Sequence, residues 1–292
     1  MLRLLYTSDI HANSSHLLSM LAVAEQEKVD SIIVGGDLVP HYLPDKTSSN
    51  RLDRQESYLT HTLIPAIQDF KRKRDIPIYL DLGNDDFIGS RPILEAHNGQ
   101  LFHLLHMAKR PLTDGIDIIG YMNVPPTPFE RKDWERPYTK AWPFAPGNRI
   151  TLDGYLSSKG SLQWTVIDLN STDTIQKDLD QLSKDIINPF IFVSHSPPYN
   201  TPLDVIYDGT HVGSQSILRF IERWSNQGKI IASLHGHIHE SPRRSGAIST
   251  MIGSALCINP GQESRMDRSF RYAILELTEE DSQAKIRILK PA

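Results

Sequence analysis

The chain has 292 residues, enough to bury a large core as one big α/β domain or two smaller ones. Hydrophobic content of 39%, charged content of 23% and a net charge of -4 describe an ordinary soluble protein and give no support to a nucleic-acid partner. The single cysteine, Cys257, excludes an intrachain disulfide framework and a cysteine-rich zinc site, and its apolar neighbours imply a buried thiol.

Met1 to Tyr6 is too short for a signal-peptide h-region, and no stretch approaches a membrane span, so the expected location is the cytoplasm. Leu2 to Thr7 reads as a first strand, running into Ser8-Asp9-Ile10-His11-Ala12-Asn13. Ser14 or Ser15 can cap a helix to about Lys28, with Leu17, Leu18, Leu21 and Val23 on its apolar side. Ser31 to Val34 is a second strand, closed by Gly35-Gly36-Asp37. Pro40 to Asn50 reads as a loop, and a long helix follows from near Asp53 to a basic end at Arg74. Ile76 to Leu82 is a third strand, ending in Gly83-Asn84-Asp85-Asp86. A helix near Arg91 to His97 and short strands near Leu101 to Leu105 and Ile116 to Gly120 complete a βαβ-rich half.

Tyr121 to Lys159 breaks this rhythm, with six prolines and the aromatics Phe129, Trp134, Tyr138, Trp142 and Phe144. A connection this long is expected to be a lid over a site or a packed excursion, its tryptophans either packing it or stacking a base. Leu162 to Leu169 then reads as a strand and Thr174 to Ile187 as a helix. Phe190 to Val193 is a strand meeting Ser194-His195-Ser196-Pro197-Pro198, and Ser214 caps a helix over Gln215 to Gln227. Lys229 to Leu234 is a buried strand that delivers His235-Gly236-His237-Ile238-His239. Short strands follow near Ala247 to Ile252, Ala255 to Ile258, Arg271 to Leu277 and Lys285 to Leu289.

Five strand ends thus carry Asp9 and His11, Asp37, Asn84, His195, and His237 with His239. In open α/β sheets the carboxyl ends of strands form the ligand crevice, so these groups can converge. Mixed oxygen and nitrogen donors suit Mn, Fe or Zn, and seven ligands exceed the needs of one ion. A shared carboxylate between two ions is the economical arrangement. In extended backbone His237 and His239 would share a face; a bend after the strand would aim them at two neighbouring ions.

Asp-x-His, Gly-Asp, Gly-Asn-x-Asp, a histidine before Pro-Pro, and Gly-His-x-His occur in that order from residue 9 to residue 239. The set resembles the calcineurin-like metallophosphoesterase superfamily. The resemblance implies an α/β fold, a two-sheet αββα sandwich with flanking helices. It also implies two divalent ions, one on Asp9, His11, Asp37 and His239 and the other on Asp37, Asn84, His195 and His237. Asn259-Pro260-Gly261 resembles small bacterial and archaeal members. Two departures stand out. Leu38-Val39-Pro40-His41 replaces the arginine-bearing continuation found in phosphoprotein phosphatases, and Asp85 replaces the histidine that serves as general acid.

The expectation is therefore a single domain over 1–292 with a lid or insertion at 121–159. It would hydrolyse phosphodiester or phosphoanhydride bonds of a small phosphorylated, nucleotide-like substrate by attack of a metal-bridging hydroxide. Asp85, Asp86 and His211 are the candidate catalytic residues beside the seven ligands, with His41 and His235 as further proton donors to consider. The alternatives are a phosphomonoesterase using His211 as general acid and a non-catalytic metal-binding interaction module.

Overall fold

The computed structural model describes residues 1–41, 48–138, 152–158, 160–262, 269–280 and 283–291. The first half runs β1 (Leu2–Thr7), α1 (Ser14–Gln26), β2 (Ser31–Val34), α2 (Ser48–Tyr58), α3 (Ile64–Lys73) and β3 (Ile78–Leu80). Then come α4 (Arg91–Glu95), β4 (His103–Leu104), β5 (Ala108–Thr113) and β6 (Ile116–Tyr121). A hairpin of β7 (Asp153–Ser158) and β8 (Ser161–Val166) leads to α5 (Ile175–Leu182), β9 (Phe190–Ser194), α6 (Gln215–Asn226) and β10 (Ile230–Leu234). The chain closes with α7 (Ser241–Ser245), β11 (Ser249–Ile252), β12 (Ala255–Ile258), β13 (Ala273–Glu280) and β14 (Gln283–Pro291).

These strands form two six-stranded sheets, ordered β14-β13-β1-β2-β3-β4 and β11-β12-β10-β9-β6-β5. The inner strands of each are parallel, and antiparallel strands lie toward the edges. This is the expected αββα sandwich. Alternation along β9 explains the layering: Ile191 and Val193 join the core shared with β1 and β2, while Phe190 and Phe192 face α6. Helix α6 answers with Ile217, Phe220, Ile221 and Trp224, a buried stripe at helical spacing.

Several local expectations change. Asn13 caps α1, accepting from the Ser15 and His16 N–H groups, so neither Ser14 nor Ser15 does. Leu17, Met20, Leu21 and Ala24 form the buried stripe at i, i+3, i+4 and i+7, which leaves Leu18 61% exposed. The long helix starts at Ser48, ahead of Asp53, and carries a π-helical turn at Leu59–Leu63 just before Pro65. Proline cannot donate to the carbonyl four residues back, and widening the preceding turn relieves that conflict. Strand β5 escapes the sequence reading because Ala-Lys-Arg-Pro-Leu-Thr is charged and contains Pro111, which only an edge strand tolerates.

The excursion after β6 is packed over its described part. The backbone of Val124 exchanges hydrogen bonds with Trp134 and Arg136, and Lys132 N–H donates to Tyr155 of β7. Trp134 is 1% exposed and belongs to the main core, its indole N–H donating to the Asp86 carbonyl at 2.9 Å. Trp142 and the Pro143-to-Arg149 stretch lie outside the described residues.

Candidate metal centre

All seven candidate ligands stand just beyond the carboxyl ends of parallel strands: β1, β2 and β3 from one sheet, β9 and β10 from the other. The chain leaves these strands sharply. Asp9, His11, Ala12, Asp37 and His237 all have left-handed backbone, with φ of 59°, 46°, 56°, 53° and 67°. Hydrogen bonds between the loops hold that geometry: Asp9 N–H to Gly36 O, His11 N–H to Asp37 O and Ala12 N–H to Leu38 O. The bend at His237 separates the two histidines of the cluster. His237 lies with its ring 5.3 Å from that of His195, while His239 Nε2 lies 3.0 Å from His11 Nε2 and 3.3 Å from Asp9 Oδ1.

Ligand atoms of Asp9, His11, Asp37 and His239 lie within 4.8 Å of one another. On the other side of Asp37, Oδ2 is 3.3 Å from His195 Nε2, which is 2.9 Å from Asn84 Oδ1. Asp37 Oδ2 also lies 3.7 Å from His11 Nε2. One carboxylate therefore borders both groups.

The donor set fits cations. Carboxylate oxygens, an amide oxygen and imidazole nitrogens face each other in a buried space, and Asp9 Oδ2 and His11 Nδ1 have no hydrogen-bond partner among the described residues. Protons are drawn onto the rings instead. Burial pushes His195 and His239 down, but Asp37 and Asp9 overcome it and raise them to about 10 and about 9. Burial would raise Asp9, yet His239 and His195 hold it at about 2. His195 Nδ1 donates to the Gly35 carbonyl at 2.7 Å, which leaves Nε2 as the atom that faces Asp37 and Asn84.

Close approach requires glycine at two positions. A Cβ at Gly83 would sit 2.3 Å from Asp37 Oδ1, and one at Gly236 would sit 1.9 Å from Ser8 Oγ and 2.6 Å from Asp9 Oδ2. Asn259 ties the histidine loop to its neighbour, its amide donating to the Leu203, Gly236 and Ile238 carbonyls.

The three catalytic candidates occupy different places. Asp85 borders the centre: its N–H donates to Asp37 Oδ1 at 2.8 Å, and its Oδ2 lies 3.9 Å from His11 Nδ1. Burial and the Asp37 carboxylate raise Asp85 to about 6, with Arg131 pulling against them. Asp86 has both oxygens committed, accepting from Leu38 and Gly83 N–H at 2.9 Å each and from Val39 N–H at 3.1 Å. It is fully buried and holds the second and third strand-end loops together. His211 is one-third exposed and oriented by buried Asp204, Nδ1 to Oδ1 2.6 Å. Asp204 also accepts from the backbone of Asn200, Thr201 and Gly213. Of the other histidines, His41 has its ring 4.2 Å from that of His11 and tilted 60° to it, whereas His235 is buried and donates from Nδ1 to the Ser194 and Ser196 carbonyls.

Two supports escape the sequence reading. Gln55 of α2 is fully buried; it donates to the Pro40 and Asp85 carbonyls and accepts from Phe87 N–H. Its signal is an amide within the buried helical stripe Leu52, Gln55, Leu59. By sequence alone Arg131 is either a solvated residue or a partner for a substrate phosphate; in the structure it reaches Asp85 Oδ1 at 3.2 Å and is only 12% exposed. Arg91 likewise is committed, forking onto Asp81.

A layered α/β sandwich with carboxylate, amide and imidazole groups gathered at five strand ends points to the metallophosphoesterase class. The family model for calcineurin-like phosphoesterases matches residues 2–241, and the chain belongs to that family. An uncharacterised protein of Methanocaldococcus jannaschii is 37% identical over 92 residues, covering 31% of this chain and 38% of that relative. Among solved structures, a dimetal phosphatase from Danio rerio aligns with a TM-score of 0.57 at 8% identity, covering 100% of this chain and 99% of that one. The TT1561 protein of Thermus thermophilus aligns with a TM-score of 0.55 at 13% identity, covering 99% of each. At these identities the likeness shows the shared fold.

Proposed function

We propose that this chain is a dinuclear metal-dependent phosphoesterase acting on the phosphodiester or phosphoanhydride bond of a small phosphorylated substrate. The observation that carries the reading is the convergence of buried acceptor atoms from five strand ends on the two sides of Asp37. Asp9, His11, Asp37 and His239 would hold one ion, and Asp37, Asn84, His195 and His237 the other. Divalent ions bound there supply Lewis-acid activation of water and neutralise charge on the phosphoryl oxygens. The chain's own part is orientation. Gly35 fixes the His195 tautomer, Asp86 and Asn259 fix the loops, and the described 122–138 segment reaches the centre through Arg131, with Trp134 packed behind Asp86.

Asp85, paired with Arg131, is an acceptor, so no histidine protonates the leaving group at this position. Good leaving groups should then be favoured. The test is a manganese-supplemented screen over aryl phosphodiesters, nucleotide anhydrides and alkyl monoesters. Turnover of the first two with a steep dependence on leaving-group pKa is expected. Absence of both metal binding and turnover would sink the reading and favour a non-catalytic module.

One observation supports a second reading. The buried Asp204 beneath His211 is the arrangement that holds an imidazole as a proton donor, which suits a phosphomonoesterase. A shallow leaving-group dependence that turns steep in His211→Ala would establish it.

A further inference from the structure

We infer that Arg131 is the anion-binding arm of this centre, and that its substrates carry a second phosphoryl group beside the one the ions hold. The inference rests on the dinuclear reading above and narrows its substrate class to diphosphate linkages. The guanidinium is held on two sides, by Asp85 Oδ1 at 3.2 Å and by the His41 carbonyl, and it lies 5.7 Å over the Phe87 ring. Those two bonds use two of its five N–H donors, and the buried Nε has no partner among the described residues. A planar fork with donors to spare is suited to a phosphoryl group.

Its placement ties it to the reacting centre. The Asp85 carboxylate that binds Arg131 through Oδ1 lies 3.9 Å from His11 Nδ1 through Oδ2, so one carboxylate separates guanidinium and ligand cluster. The backbone around it is fixed: Arg131 bridges to Tyr155 of β7, Lys132 and Glu135 form a fully buried ion pair, and Asp133 accepts from Ile88 and Ser157 N–H. The arm is therefore set in place before substrate arrives, which lowers the ordering cost of binding.

Charge argues for the second phosphoryl. Two divalent ions among Asp9, Asp37 and Asp85 leave a small positive excess, and Arg131 adds a full unit to it. A phosphodiester carries a single negative charge, whereas a diphosphate linkage carries more and spreads it over neighbouring phosphorus atoms. Leu38-Val39-Pro40-His41 supplies no cation after Asp37, so the arm comes from the segment after β6.

The test compares binding of methylenediphosphonate and methylphosphonate to the manganese-loaded protein by calorimetry, with thermal unfolding as the folding control. Wild type should prefer the diphosphonate by roughly tenfold or more, and Arg131→Met should abolish the preference while the protein stays folded. Arg131→Lys retains the charge without the fork and should keep part of the preference; it serves also if Arg131→Met does not fold. No preference in wild type, an unchanged preference in Arg131→Met, or equal weakening toward both ligands would overturn the inference. A diphosphonate preference that depends on Arg131, found in a protein that turns over no phosphate ester, would uphold the arm and remove the hydrolase reading instead.

Discussion

Replacing Asp86 with alanine should loosen the metal centre although Asp86 is not itself a ligand. Its Oδ2 accepts from Leu38 and Gly83 N–H and its Oδ1 from Val39 N–H, and all three donors are buried. Leu38 and Val39 follow Asp37, and Gly83 precedes Asn84, so the side chain locks one ligand loop to another. Each buried N–H left without a partner costs about 1–3 kcal/mol, so Asp86→Ala should lose several kcal/mol. Asp86→Asn grades the effect. With its amide oxygen at the Oδ2 position it keeps two of the bonds and turns an NH₂ toward the Val39 N–H, for a loss of about 1–3 kcal/mol. Supports of this kind alter metal affinity by about 10–100-fold. Urea unfolding of the metal-free protein gives the stability change, and manganese titration by calorimetry gives the affinity change. Asp86→Asn with unaltered stability and unaltered metal affinity would refute the account. So would an activity loss with both unchanged, because that would make Asp86 a reacting group.

Three further outcomes follow from the same geometry. Asp37→Asn should lose more metal and more activity than any other single ligand change, since Asp37 alone borders both groups; metal content by mass spectrometry and recovery on manganese addition check it. Trp134→Ala should cost about 3–5 kcal/mol in urea unfolding with the substrate KM of the folded protein little altered, because the ring is core. A raised KM at full stability would make it a substrate-facing lid residue. His106 should make the protein acid-sensitive: burial and, secondarily, Arg91 and Arg136 hold it at about 4 against the pull of Asp81. The unfolded chain takes up this proton near 6.5, so the stabilisation is complete above that pH and falls away toward pH 4, by at most about 3 kcal/mol. His106→Gln should flatten the stability curve in that window.

The parts legible in the sequence are those with a local signature. Parallel strands buried on both faces read as continuous apolar runs, as in Ser31–Val34 and Phe190–Val193, and each is followed at once by its ligand residues. Strands β5 and β7 have no such run, because one is an edge and the other half of a two-stranded hairpin with mixed exposure. Trp134 in a Pro-rich segment and Arg131 beside it carry no local sign of burial; only the packing of that segment against Asp86 and Asp85 assigns them. Gln55 sits in a helical stripe and Asp86 in the Gly-Asn-x-Asp motif, but their bracing roles are not legible, for a related reason. Their partners are backbone groups far away in sequence, and backbone groups leave no trace in side-chain spacing.

The left-handed residues show how the centre is built against local preference. A non-glycine residue in this region costs about 1–2 kcal/mol, and Asp9, His11, Asp37 and His237, four of the seven candidate ligands, adopt it. Extended strands would send alternate side chains to opposite faces and carry the chain away from the crevice. Turning at once after the strand folds the ligands back over its end, and at His237 the turn separates it from His239. The hydrogen bonds from Asp9, His11 and Ala12 to the loop after β2, with His237 N–H to Asp9 Oδ1, hold the strained backbone in place. The same bonds keep carboxylates and imidazoles crowded together; protons on His195 and His239 balance Asp37 and Asp9 there, and bound cations would take over that role. Metal binding is thus expected to stabilise the fold as well as equip it for chemistry, and the loops after β1, β2 and β10 should gain most protection from hydrogen exchange when manganese is added.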